Sequence, residues 1–418
     1  MKGIKVFCIG LLLVFSFRAS SEEIRISLDD VAKKVSSENY SVLENALRVY
    51  QAKESIQVAR GNLLPRLNLW KFATLPIDPV MTLVGMVEDI APFLVPANWF
   101  KVTEQKILYL ATQEAYRALW ANEVMTAKAL YLKILLDQSI LEHVKENQKQ
   151  FADILVIAKT WEQLGKIRQG AARDIEIRIL ALQEDERALR VMLNEEQNML
   201  SYMMGFEAKE ILRLSPVDIS GFETFEPLNY EDFEFRSLDS SPEVREFNHL
   251  INAADLVKKE VIFSFLGSSM TSRGVEGGMF DMLPVQPGLG FGTMPSIRIV
   301  NTEKDILKVQ KRGIEEVVKR QLKILVDNYN IDLENYTNLQ RRSVLTKAAI
   351  DQLFERLRLG IEVEIDELVQ ASREHILSDS AFLAVGYRFL EHEDKLARLI
   401  FYGDYDKKPA VIEKLKEK

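Results

Sequence analysis

Residues 28–61 read LDDVAKKVSSENYSVLENALRVYQAKESIQVARG, and residues 230–263 read YEDFEFRSLDSSPEVREFNHLINAADLVKKEVIF. Laid over one another without a gap, at an offset of 202, they pair Asp30 with Asp232, Val42 with Val244, Glu44 with Glu246 and Ala52 with Ala254. Further along, TEQKIL at 103–108 answers TEKDIL at 302–307, at an offset of 199. Each copy then continues through a long helical run to a glycine turn, QLGKIRQGAARDIEI in the first and RLRLGIEVEIDEL in the second. Each returns along a second helical run to another glycine, Gly205 and Gly403. Any one identity can arise by chance. A shared order of parts is the sequence signature of an internal structural repeat.

The runs between these landmarks are helical by period and by punctuation. No proline occurs from Ala97 to Ser215, and none from Ser296 to Lys408. In the second window Val318, Leu322, Leu325, Tyr329, Leu333, Tyr336 and Leu339 recur at steps of three and four, close to a heptad seam. The first shows the same habit at Leu108, Ala111, Ala115, Ala118, Asn122, Met125, Ala129 and Leu132, with many small residues that allow close helix approach. A helix from Lys101 to Glu162 would run roughly 90 Å at 1.5 Å per residue. Such rods fold into antiparallel hairpins, and a mainly α fold class follows.

Composition narrows the function. The chain has 418 residues, 47% hydrophobic and 28% charged, as folded proteins do. A net charge of −8 without a basic block offers nucleic acid no footprint. Lys2 and Lys5 precede the apolar run VFCIGLLLVFSF, and Ala19-Ser20-Ser21 supplies a small-residue cleavage site, so residues 1–21 read as a secretory signal. That run is shorter than the ~20 apolar residues of a membrane span. Cys8 is the only cysteine and lies inside the signal, so the mature chain holds no disulfide, thiolate metal site or cysteine nucleophile.

Catalytic and cofactor chemistry find little support. His143, His249, His375 and His392 lack ligand spacing and read as helix-face or packing residues. GLGFG at 288–292 lacks the strand and helix context of a phosphate loop. Glu362, Glu364, Asp366 and Glu367 form an acidic run without any accompanying sugar-cleft signal. We expect no enzyme, no metal and no cofactor.

With these features in place, a family resemblance emerges. ISLDDVAKKVSSENYSVLENALRVYQAKESIQVARGNLLPRL is similar to the opening of TolC-like outer-membrane efflux proteins, with Leu63, Leu64 and Pro65 at its leucine-leucine-proline ending, and RLRLGIEVEIDELVQA resembles the turn of their second repeat. The resemblance spans the mature chain. It implies a first repeat over 22–220, a second over 221–403 and a tail over 404–418, building a trimeric α-helical tunnel topped by an outer-membrane β-barrel. It also implies passive export, as the outer-membrane channel of a tripartite efflux or type I secretion system. The partners would be two further copies of the chain, outer-membrane lipid, a periplasmic adaptor and an inner-membrane pump. The hairpin tips that would receive the adaptor are Leu164 and Gly165, and Leu359 and Gly360. Asp366 would form a ring of acids at the periplasmic entrance, while the place of a second family aspartate holds Val369. The same acids also suit the first turn of a returning helix, as cap or as dipole partners.

The barrel would come from inserts at about 66–99 and 262–300, each long enough for two strands of roughly 9–11 residues. RLNLWKF alternates, PSIRIV is strand-like, and Trp70, Phe72, Phe93, Trp99 and Phe100 are candidate interface aromatics. Against this, Pro76, Pro79, Pro92 and Pro96 sit where strand interiors disfavour proline, and PVMTLVGMVEDIAP reads as a short helix. The alternative is a periplasmic helical scaffold of the same fold without a functional pore.

Overall fold

The computed structural model describes residues 23–65, 92–263, 280, 283, 290–361 and 363–406. The signal segment, the middles of both inserts and the end of the tail therefore lie outside the described residues. Eight α-helices are present among the described residues, and they fall into two matching sets. The first set is α1 (Leu28–Glu38), α2 (Tyr40–Gly61), α3 (Pro96–Gln163) and α4 (Ala171–Met203), of 11, 22, 68 and 33 residues. The second is α5 (Glu231–Ser240), α6 (Pro242–Phe263), α7 (Thr293–Arg358) and α8 (Ile365–Leu399), of 10, 22, 66 and 35 residues. The repeat visible in the sequence is thus a repeat of helices, and α3 and α7 each extend roughly 100 Å.

Local chemistry places the breaks. Ser27 and Asp30 form a reciprocal capping box that starts α1. Asn39 ends α1 in an extended conformation and starts α2, its Oδ1 accepting from the Val42 N–H at 3.0 Å. Ser241 stands at the matching place of the second repeat, where its Oγ accepts from the Val244 N–H at 3.3 Å.

The helices form one four-membered layer. Near its start α3 packs against α2 and α6, and near its end against α4 and α8; α7 packs against α6 and then α8. Short helices thereby stack end to end along the long ones. The Asn39 amide donates to the Met203 carbonyl at 2.9 Å, joining the end of α4 to the start of α2. At the equivalent joint the Arg398 guanidinium, from the last turn of α8, pairs with Glu243 in the first turn of α6 and donates to Asn122 Oδ1 at 2.9 Å.

One face of the layer carries additional structure. Strands β1 (Glu23–Ile26) and β2 (Ile211–Leu214) pair in parallel, and the Tyr131 hydroxyl donates to the Ser215 carbonyl at 2.7 Å. Trp120 Nε1 donates to Ser36 Oγ of α1 at 2.7 Å. On α7, Lys319 pairs with Glu234 of α5 at 3.3 Å, and the Asn330 amide holds both backbone groups of Leu228 at 2.9 Å. Phe222 stacks on Phe389 of α8 with ring centroids 4.7 Å apart.

The long seam of α7 matches its sequence period. Val318, Leu322, Leu325, Tyr329 and Tyr336 are buried, with Leu333 and Leu339 packed beside them.

Two expectations need correction. PSIRIV is not a strand: residues 295–300 belong to the first turns of α7, where Pro295 is tolerated near a helix start. Ile297 and Val300, three apart, pack on the cluster that holds Val257 and Val261 of α6, so tertiary burial overrides β-branched propensity. Trp99 and Phe100 are likewise helical, inside α3. The second correction is at Gly403. Helix α8 ends on Phe401, whose φ of 48° takes the left-handed place that Gly205 holds in α4. Phe401 N–H reaches the Arg398 carbonyl at 3.3 Å and Tyr402 N–H the Ala397 carbonyl at 2.9 Å. Burial of the Phe401 ring, with the guanidinium of Arg117 5.1 Å from its centroid, offsets the backbone strain.

Candidate functional site: the hairpin ends

The four residues singled out at the tips lie at two helix ends that share one end of the layer. Leu164 and Leu359 cap α3 and α7, and Gly165 and Gly360 follow with φ of 67° and 74°. At each end the glycine N–H and the next N–H reach back two and three residues beyond the cap. Gly165 donates to the Glu162 carbonyl and Lys166 to that of Trp161, at 3.1 and 2.9 Å; Gly360 donates to that of Leu357 and Ile361 to that of Arg356, at 3.1 and 3.0 Å. This is the Schellman termination, and it explains a glycine at both turns before any partner is invoked.

The two tips are not equivalent. Around Gly165 the space is open, whereas a Cβ at 360 would stand 2.9 Å from Trp161 Cζ2. Trp161, from the first hairpin, is therefore laid over the turn of the second, with Lys166 Nζ 3.9 Å above its ring. Sequence reasoning did not find Trp161, because beside Ile157 and Ala158 it continues the ordinary apolar stripe of α3. The first turn is further tied by Glu162, whose carboxylate accepts from Gly170 N–H at 2.7 Å and Ala172 N–H at 3.0 Å. Those two backbone bonds, Gly170 first, hold its carboxyl below the ordinary value. Leu164 and Leu359 remain 62% and 67% exposed, and Ile361 is exposed beside them, so the joined tips present apolar side chains to solvent.

Asp366 lies in the first turn of α8 and is exposed, next to Glu367. Glu364 holds the cap position without a side-chain capping bond, so the acids act on the helix start through charge and not as caps. Val369 is packed against the cluster formed by Phe151, Ile154 and Leu357.

Between the hairpins runs a line of polar contacts from α3 to α8 that the sequence did not announce. Going toward the tips, Lys128 Nζ is 2.8 Å from Asp394 Oδ1, and His143 Nε2 is 3.0 Å from Asp379 Oδ2. Ser372 Oγ then donates to Asn147 Oδ1 at 2.8 Å while accepting from Arg178 at 3.3 Å. Burial pulls Lys128 down, but Asp394 and Asp404 outweigh it and leave the ammonium above its ordinary value. Within the second hairpin, Asp332 takes both arms of Arg388 at 2.8 Å and lies 3.2 Å from His392 Nε2. Burial raises its carboxyl, yet these hydrogen bonds keep it below the ordinary value. His143 and His392 thus each make a contact between helices. Among the described residues no cluster could hold a metal, and no helix is long and apolar enough to cross a membrane.

Long hairpins in two repeats, stacked into one layer with exposed tips, form a fold that solved outer-membrane channels have. Three solved structures share it over nearly their whole length. The outer-membrane channel OprN is 13% identical, with 90% of each chain covered and a TM-score of 0.71. CusC, described in terms of folding and transmembrane channel formation, is 12% identical, with 90% of this chain and 92% of that one covered and a TM-score of 0.69. The Campylobacter jejuni outer-membrane channel CmeC is 11% identical, with 93% and 88% covered and a TM-score of 0.67. No family model and no curated protein matches the sequence.

Proposed function

We propose that the chain is one protomer of a homotrimeric outer-membrane export channel, a passive conduit whose energy comes from a partner pump. One observation carries this reading: both outer edges of the four-helix layer are apolar and bare. On α7, Val317, Ile324 and Ile331 recur every seven residues on the side away from the buried seam, and all are exposed. On the far edge Ile177, Leu180 and Val191 of α4, with Tyr40, Leu47 and Val58 of α2, are exposed opposite the buried faces of those helices. Apolar stripes of this extent mark interaction surfaces. Because the two edges differ, they join head to tail, and a head-to-tail contact forms a ring when the rotation between copies closes, which the trimer reading requires. A hollow ring also explains helices of roughly 100 Å with no wide core behind them.

In this ring the tips with Leu164, Gly165, Leu359 and Gly360 form the periplasmic end and receive an adaptor. Asp366, repeated threefold at that end, gives a negative, cation-attracting entrance. The inserts at about 66–99 and 262–300, whose middles lie outside the described residues, would supply the outer-membrane segment. The test is the native mass of the full chain in detergent. A trimer is expected, and Ile324→Glu with Ile331→Glu should release helical monomers. A wild-type chain that stays a stable helical monomer would overturn the proposal.

A further inference from the structure

Among the described residues, lysine or arginine is deeply buried at three places: Lys128, Arg178 and Arg398. Two of these face a carboxylate, Lys128 with Asp394 and Arg398 with Glu243. Arg178 forms no ion pair; its one hydrogen bond goes to a serine. It is 6% exposed and stands on α4 between Ile175 and Leu182, both fully buried in the core near the tips. It therefore occupies a core position and turns away from the exposed edge of Ile177 and Leu180. Taking a guanidinium out of water is costly unless it is paired. This position holds a charge that the chain itself does not compensate.

The groups around that charge are donors, or acceptors already in use. Arg178 and Ser372 are each the eighth residue of their helix, the same place in the two repeats. The small serine leaves room for the guanidinium, whose Nη2 donates to Ser372 Oγ at 3.3 Å. That hydroxyl gives its own proton to Asn147 Oδ1 at 2.8 Å. Arg178 Nε is buried without a partner. Arg178 Nη1 also donates to nothing, but it is not sealed from solvent. The same holds for Nδ2 of Asn147, a residue only 3% exposed. Arg373, exposed and without an ion pair, brings a second positive charge. Burial first, then Arg373, pulls Arg178 below its ordinary value, against a smaller opposing pull from the exposed Asp185.

We propose that this junction of α3, α4 and α8 binds one small oxyanion, of the sulfate and phosphate class, which accepts hydrogen bonds from Arg178 Nη1 and Asn147 Nδ2. An oxyanion offers separate acceptor oxygens to donors that arrive from different helices, and charge-assisted bonds to a guanidinium are the strong ones. Bound there, it ties the first hairpin to the second about two helical turns from the tips. The site goes beyond the channel reading and does not use it, since every group named belongs to one chain.

The test is thermal unfolding of the full chain in detergent at neutral pH, with sodium sulfate replacing sodium gluconate at constant ionic strength. Sulfate is raised to roughly 20 mM, far below the concentrations at which it strengthens burial generally. Wild type should gain on the order of 2 °C, as mass action gives for a millimolar site. Asn147→Asp keeps the shape and puts a carboxylate where the amide donor was. It should melt above wild type in gluconate alone and gain nothing from sulfate. Arg178→Met, apolar and of similar length, should also gain nothing. No gain in wild type, or a gain in either variant equal to that of wild type, overturns the site. A melting point of Asn147→Asp below that of wild type in gluconate overturns the uncompensated charge. An equal gain with sodium chloride in place of sulfate overturns the oxyanion assignment.

Discussion

Replacing Asp137 with Asn should stabilise the protein at neutral pH and leave it unchanged in acid. Asp137 on α3 is only 6% exposed and faces Glu196 of α4, itself buried; Asp137 Oδ2 has no hydrogen-bond partner. Lys133 Nζ lies 2.6 Å from Glu196 Oε1 and so serves the other carboxylate. Burial first, then the charge of Glu196, pushes the Asp137 carboxyl from 3.8 up to about 6, against the smaller pull of Lys133. The folded state therefore holds a proton that the unfolded state has released between those values. Wild-type stability falls as pH rises through that window and is level above it. At 1.36 kcal/mol per pH unit, the penalty at pH 7.5 is about 3 kcal/mol per chain. Asn keeps the shape and removes the charge, and its amide can donate to Glu196. Urea unfolding followed by far-ultraviolet circular dichroism across pH 4 to 8 should show the variant gaining on wild type from pH 4 to about 6 and then holding a constant advantage. An identical advantage at pH 4 and pH 8, or a less stable variant at pH 8, would refute the buried-charge argument.

Gly205→Ala should destabilise more than Gly165→Ala, although both glycines have positive φ. Each incurs the left-handed backbone cost of roughly 1–2 kcal/mol, but only at 205 would the Cβ also stand 2.6 Å from a backbone atom, the Glu38 carbonyl oxygen; equal melting temperatures for the two variants would contradict the end-to-end joint. Leu359→Asp should abolish capture of the adaptor by intact trimers in pull-down, because Leu359 is exposed and makes no core contact. Gly360 is the poorer probe, since a side chain there displaces Trp161 and weakens the tip itself. Asp366→Asn should leave folding unchanged and lower cation selectivity and multivalent-cation block in planar bilayers; identical recordings would reduce Asp366 to a partner of the α8 dipole.

Helical periodicity is a local property, so the sequence alone determined the long rods. Steps of three and four from Val318 to Leu339 place side chains on one face whatever the neighbours, and the absence of proline lets the backbone continue. The glycine turns at 165 and 360 were legible for the same reason, because a positive φ is demanded by the turn within a few residues. The repeat was legible because both halves solve the same packing problem with the same order of helices. PSIRIV was not, since a proline followed by five β-branched and polar residues suits strand or helix, and contact with α6 decides. Phe401 escaped because left-handed strain in a non-glycine residue is offset by burial in a core built largely from distant parts of the chain, Arg117 among them. The line of contacts from α3 to α8 and the Asp137–Glu196 pair join residues tens to hundreds of positions apart. Their geometry follows from how helices stack, which no local pattern encodes, and so only the tertiary structure decided them.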